Sequence, residues 1–163
     1  MATIDLPNNI LEALSTVLQQ LQQSLPEVKQ APDFSAIAFK WENGELKAIH
    51  QLKRIELNDL KGIERQKEKV LQNTEQFLNG LPANDVLLTG SRGTGKSSIV
   101  RALLTEYAEQ GLRLIEIERD DLSELPEIQK LIAERPEKFI VYCDDLAFNA
   151  EDENYRSLKS VLD

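Results

Sequence analysis

The sequence has a single cysteine, Cys143, and a single histidine, His50, among its 163 residues. One cysteine cannot form a disulfide within the chain, and the two residues together cannot supply the four ligands of a structural zinc site. No apolar run approaches the roughly 20 residues that a membrane-spanning helix needs. The N-terminus has no basic region before an apolar core, which is unlike a secretory signal. We therefore expect a cytoplasmic protein that does not enter membranes.

Basic residues are also relatively few. The sequence has 19 Lys and Arg and 28 Asp and Glu, which gives a formal net charge of −9. A protein that coats DNA or RNA needs a basic face to displace counterions. The charge therefore argues against a general coating function without excluding a local basic groove, and nothing in the sequence points directly to a nucleic-acid partner. The hydrophobic content is sufficient for a folded core, since 41% of the residues are hydrophobic and 29% are charged. The length predicts one domain or slightly more.

Residues 1–30 have the spacing of an amphipathic helix. Pro7 suits a first helical position, and Pro26 ends the pattern. The apolar residues recur every three or four positions, at Ile10, Leu11, Leu14, Val17, Leu18, Leu21 and Leu25. We interpret this helix as packing on its own domain, because about two to three heptads are short for a coiled coil. A dimer seam or a docking helix is the alternative.

Residues 31–54 predict a β-hairpin. The dipeptide Asn43-Gly44 separates the apolar-rich runs 34–41 and 45–50, and both of its residues tolerate a positive φ. Further along, we predict, in order, helix 63–78, strand 86–89, helix 97–110, strand 112–118, helix 126–134 and strand 139–143. The last strand is apolar at every position, which is typical of burial on both faces. Alternation of this kind predicts an α/β fold with a parallel sheet covered by helices.

A G-x-x-x-x-G-K-S pattern lies between the first strand of this alternation and its helix. Its glycines let the backbone wrap a polyphosphate, and the positive end of the following helix favours the anion. Lys96 is expected to reach the β- and γ-phosphates, and the Ser97 hydroxyl to ligate Mg²⁺. The predicted nucleotide-binding residues are Gly90, Ser91, Arg92, Gly93, Thr94, Gly95, Lys96, Ser97 and Ser98. A glycine-rich turn without a ligand is disfavoured by the predicted strand and helix on either side.

Two acids follow the apolar strand 139–143. A carboxylate there lies at the carboxyl edge of the sheet, where open α/β sheets bind ligands. Asp144 is predicted to hold the Mg²⁺ as the Walker B acid, and Asp145 is the candidate base that polarises the attacking water. The alternative is that both acids simply begin a solvated loop. Cys143 is interpreted as a small core residue, not a nucleophile.

These motifs resemble those of the AAA+ ATPase superfamily, and in particular a bacterial family of AAA+-type ATPases that carries a domain-of-unknown-function label. The resemblance extends over about residues 33–163. It is strongest in three stretches, KGIERQK at 61–67, the glycine-rich loop, and CDDL at 143–146. It implies that residues 55–163 are the N-terminal portion of an AAA+-like P-loop ATPase domain.

The segment before the glycine-rich loop resembles the AAA+ motif that packs against adenine. That resemblance carries adenine contact onto Leu60, Gly62 and Ile63. At the catalytic position most AAA+ proteins have Glu where this chain has Asp145. In the family's sheet, a strand carrying sensor 1 lies between the P-loop strand and the Walker B strand. That strand, the arginine finger and the helical lid would follow Asp163, so we interpret the chain as truncated after the Walker B strand and its following helix.

The function that the resemblance implies is ATP-dependent remodelling of a macromolecular partner by an AAA+-type NTPase, with ATP and Mg²⁺ as cofactors. We expect hydrolysis when the full domain is present and weak or no activity from this chain alone. The full-length protein could form a homo-oligomer. The alternative is a nucleotide-dependent switch or scaffold that binds ATP with little hydrolysis. Phosphotransfer to a small molecule is disfavoured, because the second acid and the adenine-type segment fit hydrolysis better.

Overall fold

The computed structural model describes residues 8–24 and 31–146. The first of these ranges forms helix α1 (Asn8–Ser24), which belongs to a compact unit of its own, residues 1–31. Four of its apolar side chains are exposed, namely Ile10, Leu14, Val17 and Leu18. What α1 packs against stays a prediction, and the helix expected after residue 146 lies outside the described residues. No described helix is both long enough and apolar enough to cross a bilayer.

The second unit, residues 32–163, has a four-stranded sheet and three further α-helices in its described part. Its elements are β1 (Ala38–Glu42), β2 (Glu45–Ala48), α2 (Glu64–Leu78), α3 (Lys96–Tyr107), β3 (Leu112–Ile117), α4 (Leu125–Ile132) and β4 (Lys138–Cys143). Short 3-10 helices occupy Leu57–Asp59, Ala108–Gln110 and Arg119–Glu124. The helices predicted at 63–78, 97–110 and 126–134, and the strands at 112–118 and 139–143, are confirmed to within about three residues.

The hairpin forms at Asn43-Gly44, where both residues have positive φ, 55° and 72°. Glycine adopts this conformation without the steric cost that a Cβ brings, and the tight turn forces β1 and β2 to run antiparallel. The strand order is β2-β1-β3-β4, and the β1–β3 and β3–β4 pairs are parallel. The sheet is therefore mixed, which corrects the expectation of a parallel one. The hairpin therefore belongs to the same sheet as the strands of the predicted ATPase module. The domain boundary between residues 54 and 55 stays a prediction.

Two apolar cores lie on opposite faces of the sheet because side chains alternate along each strand. On β3, Leu112 and Leu114 pack with α2 and α3, whereas Ile115 and Ile117 pack with α4 and the 3-10 helix before it. Phe39 of β1 joins the second core and is fully buried. Helices thus cover both faces of a central pair of strands, β1 and β3.

The strand predicted at 86–89 is absent, which corrects that expectation. Residues 82–90 have no regular structure, and the exposed fractions of Val86 and Leu87 are 50% and 75%. A strand is stable only when a neighbouring strand takes its backbone hydrogen bonds, and no described strand lies on the far side of β4. For the same reason β4 is an edge strand with Val141 36% exposed, so the expected burial on both faces is wrong.

Tyr107 links the two helices on one face of the sheet, since its hydroxyl donates to Glu75 Oε1 of α2 at 2.9 Å. Burial, and then the Glu75 carboxylate, raise the pKa of Tyr107 to about 12. We expect Tyr107→Phe to lower the free energy of unfolding by about 1–2 kcal/mol, because a part-buried hydrogen bond to a charged acceptor is lost. Urea unfolding of both proteins at pH 8 measures this difference.

The same pair predicts a pH dependence. A phenol whose pKa is higher in the folded state contributes stability that is complete below the unfolded pKa, near 10, and is lost as the pH rises through 12. The stability difference between wild type and Tyr107→Phe should therefore shrink between pH 9 and 11. A difference that stays constant over this range would contradict the assignment of the hydrogen bond to a protonated phenol.

Candidate nucleotide-binding site

The glycine-rich loop folds back on itself directly before α3. Its backbone enters the positive-φ region at Gly90, Gly93 and Gly95. Gly95, with φ 90°, is the N-terminal cap of α3, a conformation that side chains with a Cβ rarely adopt. The Thr94 hydroxyl donates to the Ser91 carbonyl at 2.8 Å and ties the loop together. The local sequence thus places a compact loop at the positive end of a twelve-residue helix.

Lys96 lies over this loop, because its ammonium donates to the carbonyls of Gly90 at 3.0 Å and Ser91 at 3.1 Å. An ammonium has three protons, so one donor remains for an anion. The first backbone amides of α3 also have no acceptor within the helix. The ammonium and these amides supply the positive, donor-rich surface that a polyphosphate needs, so the loop fits the predicted ligand chemically.

Of the three residues with predicted adenine contact, Ile63 is the one beside the loop. Its Cδ1 atom would be 3.7 Å from a Cβ built on Gly95. Leu60 instead packs against the core beneath α2 and α3, and the Gly62 amide donates to Glu64 at 3.1 Å. Lys67 holds the segment on α2, since its Nζ donates to the Leu60 carbonyl at 2.8 Å. Lys67 was not among the predicted site residues. It follows Ile63 by four residues, and this spacing could have indicated that the Lys67 side chain reaches the segment before α2.

The two acids follow β4 and are both exposed. Asp145 has φ 51°, a left-handed conformation that Asp tolerates better than most residues. Its backbone amide donates to Oδ1 of Asp144 at 3.0 Å. This bond orients the Asp144 carboxylate and leaves its other oxygen at the carboxyl edge of the sheet.

Tyr142 lies between the glycine-rich loop with α3 and the two acids that follow β4. It was not among the site residues predicted from the sequence. It precedes Asp144 by two residues on β4, and its ring packs against the core that includes α3. Burial raises the pKa of Tyr142, the Asp144 carboxylate raises it further, and the Ser97 hydroxyl acts in the opposite direction. Ser97 and Asp144 therefore both lie near this phenol, although neither forms a hydrogen bond with it. The alternation of side chains along a strand was the signal that could have identified Tyr142.

The donor set suits magnesium more than a metal that requires a protein cage. In the described part of the chain, no group of three or more His, Cys, Asp or Glu side chains is arranged so that it could hold a metal ion. Mg²⁺ is commonly held by one or two protein ligands together with substrate phosphates and water, which a hydroxyl and a carboxylate can satisfy. Burial, and then the Asp144 carboxylate, raise the pKa of Cys143 to about 11, so its thiol is protonated at neutral pH.

A separate polar cleft of about 650 Å³ opens beside α2 and α3. Leu57, Lys67 and Thr105 are among the residues that line it, and none of the predicted site residues does so. The cleft and the glycine-rich loop are therefore distinct features of this face.

Comparisons with known proteins agree with this geometry at a coarse level. The profile of a family described as "Protein of unknown function (DUF815)" matches residues 34–163. The replication factor C large subunit of Methanococcus maripaludis, an AAA+ ATPase, is 36% identical over 52 residues. That alignment covers 32% of this chain and 11% of the relative, so the chain spans about a tenth of the curated protein it matches. No solved structure matches the chain.

Proposed function

The chain belongs to the DUF815 family of proteins of unknown function, and we propose that it is an ATP-binding AAA+-type NTPase whose nucleotide cycle remodels a macromolecular partner. The distant similarity to an AAA+ ATPase supports the class. The observation that carries the proposal is the position of Lys96, whose ammonium donates to two carbonyls of the glycine-rich loop at the start of α3. A loop, a cation and a helix N-terminus together form a phosphate-binding arrangement.

Each residue has a defined role in this proposal. The loop amides and Lys96 bind the β- and γ-phosphates, and Ile63, which is beside the loop, contacts the base. Ser97 and Asp144 hold Mg²⁺, which when bound neutralises charge on the phosphate oxygens. Asp145 accepts a proton from the attacking water.

The second candidate is a switch that binds ATP and hydrolyses it slowly. It is favoured by the segment that leads into the loop, because Val86 and Leu87 are exposed and have no strand partner in the described structure. A loop whose preceding segment lacks a strand partner is positioned less precisely, and a misplacement of about 1 Å can lower a catalytic rate about 100-fold. Measuring phosphate release at saturating Mg²⁺-ATP separates the two, since the switch binds nucleotide with turnover near background.

Lys96→Ala tests the shared element of both candidates. We expect the Kd for a fluorescent ATP analogue in Mg²⁺ to rise at least tenfold, about 1.4 kcal/mol, because the cation nearest the phosphates is removed. Lys130→Ala is the matched control, since Lys130 is exposed on α4, and its Kd should equal that of wild type. Equal affinity of a folded Lys96→Ala protein and wild type would remove the phosphate-binding role from this loop.

A further inference from the structure

We propose that the Tyr142 hydroxyl is a positioning group for the Asp144 carboxylate, an inference that rests on the proposed function. Its phenol oxygen is buried and has no hydrogen-bond partner among the described residues. A buried hydroxyl without a partner is costly to maintain, so such an atom beside a binding site suggests a bond that forms in another state of that site.

Of the carboxylates near Tyr142, Asp144 is the one whose side chain is not held by an ion pair. The neighbouring carboxylate on β3, Glu116, pairs with Tyr142 in the strand register but is already bound by Arg101 Nη2 of α3 at 3.3 Å. The Asp144 side chain follows Tyr142 by two residues, is exposed, and has one oxygen bound by the Asp145 amide. Rotation of this exposed side chain can direct its second oxygen to the phenol, whereas the ion pair with Arg101 restrains the Glu116 carboxylate.

The packed ring of Tyr142 holds its hydroxyl in a fixed position. It packs with Ile140 against a core that contains Val100 and Leu103 of α3, the helix that also begins with Lys96 and Ser97. A hydrogen bond from this phenol to Asp144 therefore ties the carboxylate to the helix that carries the glycine-rich loop. In metal sites, groups that orient a ligand in this way typically change metal affinity about 10- to 100-fold.

Tyr142→Phe is the decisive variant, because it removes one oxygen atom and keeps the packed ring. The experiment titrates Mg²⁺ into protein with a fluorescent ATP analogue at fixed concentration, and repeats the analogue titration in EDTA. We expect the Mg²⁺ concentration at half-maximal binding to rise about tenfold, while the affinity in EDTA and the urea midpoint of the nucleotide-free protein stay unchanged. A merely structural tyrosine would change the urea midpoint and leave the Mg²⁺ requirement alone.

Tyr107→Phe is the matched control, since it also removes a hydroxyl from a buried tyrosine of the same core, one that bonds Glu75. It should show the opposite pattern, a lower urea midpoint with an unchanged Mg²⁺ requirement. In an Asp144→Asn background, Tyr142→Phe should have no further effect on the Mg²⁺ requirement, because the two residues act through one carboxylate.

The outcomes separate this inference from the proposed function. If wild type binds the analogue and Tyr142→Phe has the same Mg²⁺ requirement, the positioning role is overturned and nucleotide binding stands. If the effects of Tyr142→Phe and Asp144→Asn are fully additive, Tyr142 does not act through Asp144 and the inference is likewise overturned. A folded wild-type protein that binds no nucleotide overturns both.

Discussion

Replacement of Asp145 by asparagine is expected to lower kcat for ATP hydrolysis at least about 100-fold while the Kd for Mg²⁺-ATP stays within about twofold of wild type. A general base acts only on the chemical step, so its loss leaves ground-state binding intact. Asparagine has nearly the same shape and also tolerates the left-handed backbone that Asp145 adopts, φ 51°. The substitution therefore removes the carboxylate and little else. Phosphate release measures kcat, and analogue titration measures Kd.

Two further variants serve as the control and the comparison for Asp145→Asn. Asp120→Asn is the matched control, because Asp120 is an exposed acid in the 3-10 helix that follows β3, and wild-type turnover is expected. Asp144→Asn should raise the Mg²⁺ requirement for binding, since a carboxylate that holds the metal acts in the ground state. Wild-type kcat in Asp145→Asn would assign the base to another residue. Loss of binding in Asp145→Asn would instead place Asp145 in the metal site.

Replacement of Phe39 by alanine is expected to lower the free energy of unfolding by about 3–5 kcal/mol. Phe39 is fully buried on β1, and its ring centroid lies 5.8 Å from that of Phe34 and 6.3 Å from that of Phe139 on β4. Truncation removes both aromatic contacts and leaves a cavity in the core between the sheet and α4. Urea unfolding followed by circular dichroism measures the change.

The size of this effect tests whether the hairpin is integral to the sheet that carries the site. Phe39→Leu, which keeps most of the side-chain volume, should cost at most about 1.5 kcal/mol. Ile37→Ala, at a partly exposed position just before β1, should cost less than Phe39→Ala. A loss below about 1 kcal/mol in Phe39→Ala would mean that the hairpin is a peripheral attachment to the sheet.

The sequence alone was sufficient for features that depend on a few neighbouring residues. Asn43-Gly44 predicted the hairpin because its residues tolerate the positive φ that a two-residue turn needs. The pattern ending in Lys96 and Ser97 predicted a loop followed by a helix, and α3 begins at Lys96. The sequence also predicted the elements α2, α4, β3 and β4. That the loop binds nucleotide stays a prediction, because sequence and loop geometry establish the chemistry offered and not the ligand taken.

Long-range pairing was decided only by the tertiary structure. The run 86–89 is as apolar as a strand, yet it remains irregular because a strand's backbone groups need a neighbour that local sequence cannot specify. The position of the hairpin beside β3 could likewise not be predicted, because 69 residues lie between the end of β1 and the start of β3 and only tertiary packing brings the two strands together. Tyr142 looked like one more apolar strand position. Its hydroxyl gains significance only because β4 packs against α3, which brings the phenol near both Ser97 and Asp144.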